Sequence, residues 1–352
     1  MDKILIYPYG TETESIIKYF YMLKNIQIVG VIKLRGWFDG RKSFICEGKE
    51  IPIYYDLKKA LENLEINGIY FADFQKELSF EKYYLPLIKF SIEQDKKIIC
   101  GKKIKNEIDK YFKNDVEVQY VSDTGREMDY DSVDKLIQIN TPVIYIGSLI
   151  DGIDSFEVQL AIREQLQKRT DKISQIGTKE YSHFFGMDVM PRFMLETAIS
   201  EKNKILFFNS FLKEIELQDH PDLIIAGIPN ELFPISTKYV SNFGMCAIEM
   251  FFATIPDVLI IILPYENYST EDIEEMKESI LSRFGTKVDI FVLSNKRLLI
   301  DETEISQEAK FLTVVEEEMS MPNAENITIN DYSNMADIII HKLIQNGKLK
   351  SI

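Results

Sequence analysis

Short apolar segments alternate with segments of helical periodicity along this chain of 352 residues. The runs 143–146, 223–226 and 258–263 are apolar at every position, which predicts strands buried on both faces. Helical patterns separate these strands, and strands joined through helical crossovers run parallel. The chain is long enough for two such cores. We therefore predict an α/β protein with two parallel-sheet domains, a Rossmann-like domain over residues 1–122 and a second domain over residues 123–352.

The first predicted domain begins with a strand over 3–7, Gly10 and a helix over 13–23, an order typical of a doubly wound fold. The G-x-G-x-x-G fingerprint of dinucleotide binding is missing, since only Gly10 is present. The pattern then predicts strands over 26–33, 69–72 and 97–100, and helices over 57–64, 80–94 and 104–112. A polar, acidic segment over 122–134 predicts the junction between the domains.

The second predicted domain repeats the alternation. Besides the apolar runs already described, its pattern predicts strands over 172–176 and 288–293, and helices over 155–168, 192–201, 240–253, 270–284 and 332–344.

Composition restricts the classes of partner. A formal charge of −15 predicts no nucleic-acid partner, because phosphate neutralisation needs clustered Lys and Arg. The longest apolar run is far below membrane-spanning length, so we predict no membrane partner. Three scattered cysteines without a C-x-x-C pair suit a reducing compartment, and we predict a cytoplasmic protein. The three histidines are also unclustered, so no metal site is predicted.

The strand over 143–146 leads into a glycine loop and a helix. Gly147 and Gly152 have the separation of a phosphate-binding loop, G-x-x-x-x-G-K-[ST]. Ile153 stands at the lysine position and Asp154 at the hydroxyl position, so we predict a degenerate Walker A loop in a P-loop-like domain. Asp154 and Glu157 form a capping pair that would place a carboxylate where a phosphate binds. The sequence identifies no cofactor, and the glycine spacing leaves a nucleotide as the candidate.

Polar residues follow three of the predicted strands at their carboxyl ends, where open parallel sheets bind ligands. The predicted ligand-binding residues are Gly147, Ser148, Gly152, Asp154, Ser155, Thr178, Lys179 and Asn230. The candidate catalytic residues are Lys179 as a cation, His183 as a proton carrier and Glu231. The alternative interpretation makes the segment 177–183 a polar surface loop, and Asn230 and Glu231 plain turn residues.

Three segments resemble bacterial proteins that join a Rossmann-like domain to a phosphate-loop domain and include D-amino acid N-acyltransferases. They are GSLIDGIDSFEVQLAIREQL, IGTKEYSHFFGMDVMP and PNELFPISTKYVSNFGMCAIEMFFATIPDVLIIILPY. The chain departs from that family at Ile153, at Asn230 and Glu231, and at Phe233, where the family has a histidine before the proline. This resemblance implies an acyl- or amide-transferring enzyme as one alternative.

The degenerate loop and the Ile-, Lys-, Asn- and Glu-rich composition look more like the peptide maturation system proteins found with clostridial bacteriocin-type Cys-rich peptides. Membership would imply a component of ribosomal peptide natural-product maturation that binds a small ligand or partner without conventional ATP hydrolysis. The implied partners are a precursor peptide or a radical-SAM maturase. The remaining alternative is a non-catalytic assembly protein, a homo-oligomer whose apolar helix over 240–253 packs against another subunit.

Overall fold

The computed structural model describes residues 1–37, 40–73, 78–112, 117–120, 126, 133–153, 155–239, 241–315, 319 and 327–349. Its contacts divide the chain into two compact units. The first comprises residues 1–125 together with 179–189, and the second comprises 126–178 together with 190–352. We call the segment 179–189 the strap. The predicted domain boundary between residues 122 and 123 assigned it to the second domain, whereas its contacts group it with the first unit.

The first unit is built on a sheet of seven strands in the order β3, β4, β2, β1, β5, β6, β7. Their bounds are β1 (Asp2–Tyr7), β2 (Ile26–Ile32), β3 (Ser43–Cys46), β4 (Lys49–Tyr54), β5 (Gly68–Phe71), β6 (Lys97–Cys100) and β7 (Val118–Tyr120). All neighbours are parallel except β3 and β4, which form a hairpin. The parallel sheet predicted for this part of the chain is confirmed.

Among the described residues of this unit, the α-helices are α1 (Glu14–Lys18), α2 (Leu57–Asn63), α3 (Leu85–Glu93) and α4 (Lys102–Phe112). Helices α2, α3 and α4 contribute Leu57, Ile88 and Ile104 to one core with the strand residues Leu5 and Ile69. The predicted helix over 13–23 is shorter than expected, since α1 is followed by a 3-10 turn over Phe20–Met22. These helices supply the crossovers that parallel strands require.

The remaining strands are β8 (Val143–Ser148), β9 (Ile173–Gly177), β10 (Asp188–Val189), β11 (Leu223–Glu231), β12 (Val258–Leu263), β13 (Ile290–Leu293), β14 (Lys296–Leu298), β15 (Phe311–Thr313) and β16 (Ile327–Thr328). Strand β10 lies in the strap. In the second unit, parallel strands follow the order β9, β11, β8, β12, β13, β16. The chain runs from β8 to one side and later returns to β12 on the other, so the strand order reverses at β8. Such a reversal is where open α/β sheets bind ligands.

Helices cover both faces of this second sheet. They are α5 (Phe156–Leu166), α6 (Glu201–Asp219), α7 (Met245–Ala253), α8 (Thr270–Phe284) and α10 (Tyr332–Gln345). A shorter helix, α9 (Ile300–Ser306), follows β14. Within β8, Val143 and Tyr145 pack in the core with α6, α7 and α8, whereas Ile144 and Ile146 pack with α5 and α10. Each strand therefore needs apolar residues at successive positions, which explains its continuous apolar sequence.

Two predicted helices of the second domain are wrong in extent. Over 192–201 the structure has only a 3-10 turn, Arg192–Met194, and the long helix α6 begins at Glu201. The Ser200 hydroxyl caps α6 by accepting a hydrogen bond from the Asn203 N–H at 3.4 Å. The helix predicted over 240–253 begins only at Met245, after Gly244 with φ +69°. Within the described ranges, no helix is long and apolar enough to cross a membrane.

Candidate functional site

The glycine loop begins at the carboxyl end of β8, as predicted. The Ser148 hydroxyl donates a 2.8 Å hydrogen bond to the Ile153 carbonyl, and Ser148 is buried. The Ile153 side chain is only 7 % exposed and belongs to the core formed with α5 and α10. The position at which a phosphate-binding loop carries a cation thus carries a buried apolar side chain.

Gly152 needs to be glycine for two reasons. Its φ is +82°, and a Cβ built there would lie 2.6 Å from Phe311 Cε2 and 3.0 Å from Ala309 Cβ. The ring of Phe311, the first residue of β15, therefore packs against the tip of the loop. Tyr239 adds a polar contact, because its hydroxyl lies 3.1 Å from Asp151 Oδ2.

Asp154 lies outside the described residues, and the predicted capping pair with Glu157 stays a prediction. Ser155 directly precedes α5 and is buried. Its hydroxyl accepts a 3.1 Å hydrogen bond from Gln159 Nε2, which also lies 3.3 Å from Thr178 Oγ1. Gln159 is fully buried and fills the space where Gly227 has no side chain. The structure thus brings Ser155 and Thr178 together through a glutamine that sequence reasoning did not select.

Glu231, at the end of β11, is paired in register with Ser148. Its side chain is 0 % exposed, and Oε1 accepts a 2.7 Å hydrogen bond from the Asn242 N–H. Among the described residues, Oε2 of Glu231 has no hydrogen-bond partner. A buried carboxylate with one unpaired oxygen is costly, which makes Glu231 the most unusual of the predicted catalytic candidates.

Asn230 is exposed, and its Nδ2 lies 3.5 Å from the Cys246 thiol. Cys246 is 7 % exposed, and burial followed by the charge of Glu249 raises the pKa of its thiol to about 11. The thiol is therefore protonated at neutral pH and behaves as a packed core side chain.

Lys179 and His183 belong to the strap and hence to the first unit, whereas the other predicted site residues that the structure describes belong to the second. Lys179 is half-buried and His183 is exposed on a 3-10 helix, Glu180–Phe185. The catalytic role of each stays a prediction.

Two carboxyl groups that sequence reasoning missed meet in the first unit. Asp73 follows β5 and shares a side-chain hydrogen bond with Glu180 of the strap. Burial, followed by the charge of Glu180, raises the pKa of Asp73 to about 7. Burial also raises the pKa of Glu180. No sequence signal could have joined them, because their proximity depends on the position of the strap.

A separate open cleft of about 450 Å³ lies at the start of α8 and includes the carboxyl groups of Glu266, Asp272 and Glu275. It contains none of the predicted site residues, and its acidic lining does not suit a phosphate ligand. Across the part of the chain that the structure describes, no group of three or more His, Cys, Asp or Glu residues could hold a metal ion.

Comparisons with known proteins identify the fold. No family model and no curated protein matches the chain. Among solved structures, the chain is similar to a DUF1611 family protein from Anabaena variabilis ATCC 29413, with a TM-score of 0.62 and 12 % sequence identity. The match covers 98 % of this chain and 100 % of that chain. At this identity, the likeness shows a shared α/β fold alone.

Proposed function

We propose that the chain is a component of a ribosomal peptide natural-product maturation system that binds a small ligand or partner without conventional ATP hydrolysis. The peptide role is supported by the sequence resemblance. The absence of conventional ATP hydrolysis is supported by one observation: Ile153 stands at the position of the phosphate-binding lysine, and its side chain is buried in the core. A loop without that cation loses the main charge that neutralises a nucleotide's phosphates.

Calorimetry tests whether the purified protein binds ATP, GTP or an acyl-coenzyme A, each with and without magnesium. We expect no magnesium-dependent nucleotide binding in the micromolar range. Micromolar binding that Ser148→Ala abolishes would contradict the proposal, because it would show that the glycine loop accepts phosphates despite Ile153. The matched control is Ser306→Ala, since Ser306 is an exposed serine on α9.

Peptide maturation is tested separately by expressing a precursor peptide and its radical-SAM maturase with and without this chain. Mass spectrometry of the peptide then reports the modification. We expect incomplete modification when the chain is omitted and recovery when it is restored. Equal modification in both cases would rule out the maturation role while leaving the nucleotide result unaffected.

A second candidate function is acyl or amide transfer, favoured by the buried, incompletely paired carboxylate of Glu231. Such a group can accept a proton from an attacking amine. Glu231→Gln keeps the shape and the acceptor for Asn242, so it should remove transfer and preserve folding. If Lys179→Ala and His183→Ala both leave transfer and maturation intact, those residues have no catalytic role.

The assembly alternative is favoured by exposed apolar residues at the end of α7. Phe252 is 68 % exposed and Ile255 is 70 % exposed. If a second copy covers them, light scattering should report an oligomer that Phe252→Ser dissociates. Ile305→Ser is the matched control, because Ile305 is 85 % exposed on α9. A monomer at every concentration would exclude this alternative.

A further inference from the structure

The strap is attached to the first unit by polar and aromatic contacts. The Tyr181 hydroxyl lies 2.7 Å from Ser15 Oγ and donates a 2.8 Å hydrogen bond to the Glu12 carbonyl. The Phe184 ring packs edge-on against Tyr70, with centroids 5.0 Å apart, and the Phe184 carbonyl accepts a hydrogen bond from the Lys24 N–H at 2.7 Å. The strap is therefore docked at several points along its length.

Glu180 of the strap contacts the first unit at a helix terminus. The carboxyl group of Glu180 lies at the N-terminus of α4, where it accepts a hydrogen bond from the Lys102 backbone. Asp73 accepts one from the Ile104 backbone at the same helix terminus. A Cβ at Gly101 would collide with the Glu180 carboxyl group and lie 2.9 Å from Asp73 Oδ2. The missing side chain of Gly101 thus makes room for the two carboxyl groups.

A hydrogen bond between two carboxyl groups requires that one of them carry a proton, because two carboxylates have only acceptors. The helix N-terminus and the neighbouring lysines compensate part of the remaining charge. Other titratable groups act on Asp73, on Glu180 or on the buried hydroxyls and thiol beside them. They are Lys102, Lys103, Lys105 and Asp109 of α4, Tyr70 of β5, Cys100 of β6, Tyr181 of the strap, Tyr7, Glu12 and Tyr84. Ionisation of both carboxyls would place two like charges in contact in a largely buried position.

We propose that residues 179–189 are a proton-dependent strap, whose docking on the first unit is strengthened when Asp73 and Glu180 share one proton and weakened when that proton is lost. Because Lys179 and His183 lie on the strap, the same proton would control where these two residues are held. The link to catalysis rests on the acyl-transfer function proposed above, whereas the docking equilibrium does not depend on it.

The direction of the pH effect follows from the pKa of Asp73, which is raised to about 7 in the docked strap. The docked state binds the proton more tightly than an undocked, solvated carboxyl group does. Docking is therefore strongest below the ordinary carboxyl pKa and weakens as the pH rises through about 7. Above this range both states have lost the proton, so the docking constant becomes independent of pH.

Hydrogen exchange of the full chain, read by mass spectrometry on peptides covering 179–189, measures docking without any activity. Exchange rates are divided by the intrinsic rate at each pH. We expect the protection of the strap to fall at least about tenfold between about pH 5 and about pH 8. Protection that does not change over this range would overturn the proposal.

Three variants distinguish the effect of the shared proton from the effect of the other contacts that dock the strap. In Asp73→Asn and in Glu180→Gln, an amide N–H replaces the acid proton, so protection should be nearly independent of pH. Tyr181→Phe removes the hydroxyl contacts and should lower protection at every pH while keeping the wild-type pH dependence. Retention of the full pH dependence in both amide variants, or its loss in Tyr181→Phe, would refute the shared proton. Protection of β1, the central strand of the first unit, reports whether each variant is folded.

These outcomes are independent of the proposed enzyme. If docking follows the expected pH dependence while Lys179→Ala and His183→Ala leave transfer intact, the strap mechanism stands and the catalytic role of those residues fails. If transfer depends on them but protection is independent of pH, the strap mechanism fails alone.

Discussion

The Ser148 hydroxyl donates a 2.8 Å hydrogen bond to the Ile153 carbonyl, and this bond closes the glycine loop on itself. The donor and the acceptor are separated by four residues, and both residues are buried. Their contact keeps the Ile153 side chain in the core with α5 and α10. The loop is therefore part of the packing of the second unit, and substitutions in it should alter stability.

Ile153→Ala should lower the free energy of unfolding by about 2–5 kcal/mol, because it removes buried methyl groups and leaves a cavity. Ile305→Ala, in an isoleucine that is 85 % exposed, should change it by less than about 0.5 kcal/mol. Chemical denaturation followed by circular dichroism measures both. Equal effects of the two substitutions would show that Ile153 is not packed as described.

Gly152→Ala and Gly285→Ala form a second matched pair. Both glycines have positive φ, +82° and +70°, so an alanine at either position costs about 1–2 kcal/mol in backbone strain. No described atom lies within 4 Å of a Cβ at Gly285, whereas a Cβ at Gly152 would meet Phe311 at 2.6 Å. Gly152→Ala should therefore destabilise the protein by a further ~1–3 kcal/mol, the usual cost of overpacking.

The double variant Gly152→Ala with Phe311→Ala provides the control for that difference. Compared with Phe311→Ala alone, the double variant should lose little more than the backbone strain, because the ring that the new methyl group meets has been removed. If Gly152→Ala costs no more than Gly285→Ala in thermal denaturation, the Phe311 ring does not press on the loop.

The three cysteines should react with an alkylating reagent in a fixed order. Cys46 is partly exposed, whereas Cys246 is 7 % and Cys100 is 0 % exposed. Burial raises the pKa of all three thiols, and for Cys246 it reaches about 11, so only about one thiol in a thousand is ionised at pH 8. Mass spectrometry after brief iodoacetamide treatment should find Cys46 modified first.

Denaturant is the control for this experiment. In unfolded protein the three thiols should react at similar rates, because burial no longer separates their pKa values. Rapid modification of Cys246 in the native protein would mean that the thiol is accessible, and its assignment to the core would be wrong.

Much of the fold was predictable because each parallel strand must be apolar at successive positions. The strands over 143–148 and 258–263 contribute alternate side chains to two cores, which explains why apolar residues occupy successive positions in both. The hairpin of β3 and β4 was not predicted, although Glu47 and Gly48 have the positive φ values of a tight turn. The start of α6 was also missed, because the apolar pattern outweighed the cap at Ser200.

Residues of the candidate site were predictable only where a local sequence pattern identified them. The glycine spacing identified Gly147 and Gly152, and the strand end identified Glu231. Gln159 was missed because a polar residue within an amphipathic helix gives no sign that it will be buried. The contact of Phe311 with Gly152 and the pairing of Asp73 with Glu180 join distant parts of the chain, and a single sequence contains no signal for such contacts.

Gly101→Ala provides a last test, because it examines the geometry of the carboxyl pair without changing a charge. The new methyl group would occupy the position of the Glu180 carboxyl group and approach Asp73, so the strap should lose protection from hydrogen exchange at all pH values. Gly36→Ala is the matched control, since no described atom lies within 4 Å of a Cβ there. We expect Gly36→Ala to leave the protection of residues 179–189 unchanged. If Gly101→Ala also leaves it unchanged, Glu180 does not lie against Gly101, and the carboxyl pair at the N-terminus of α4 is not formed.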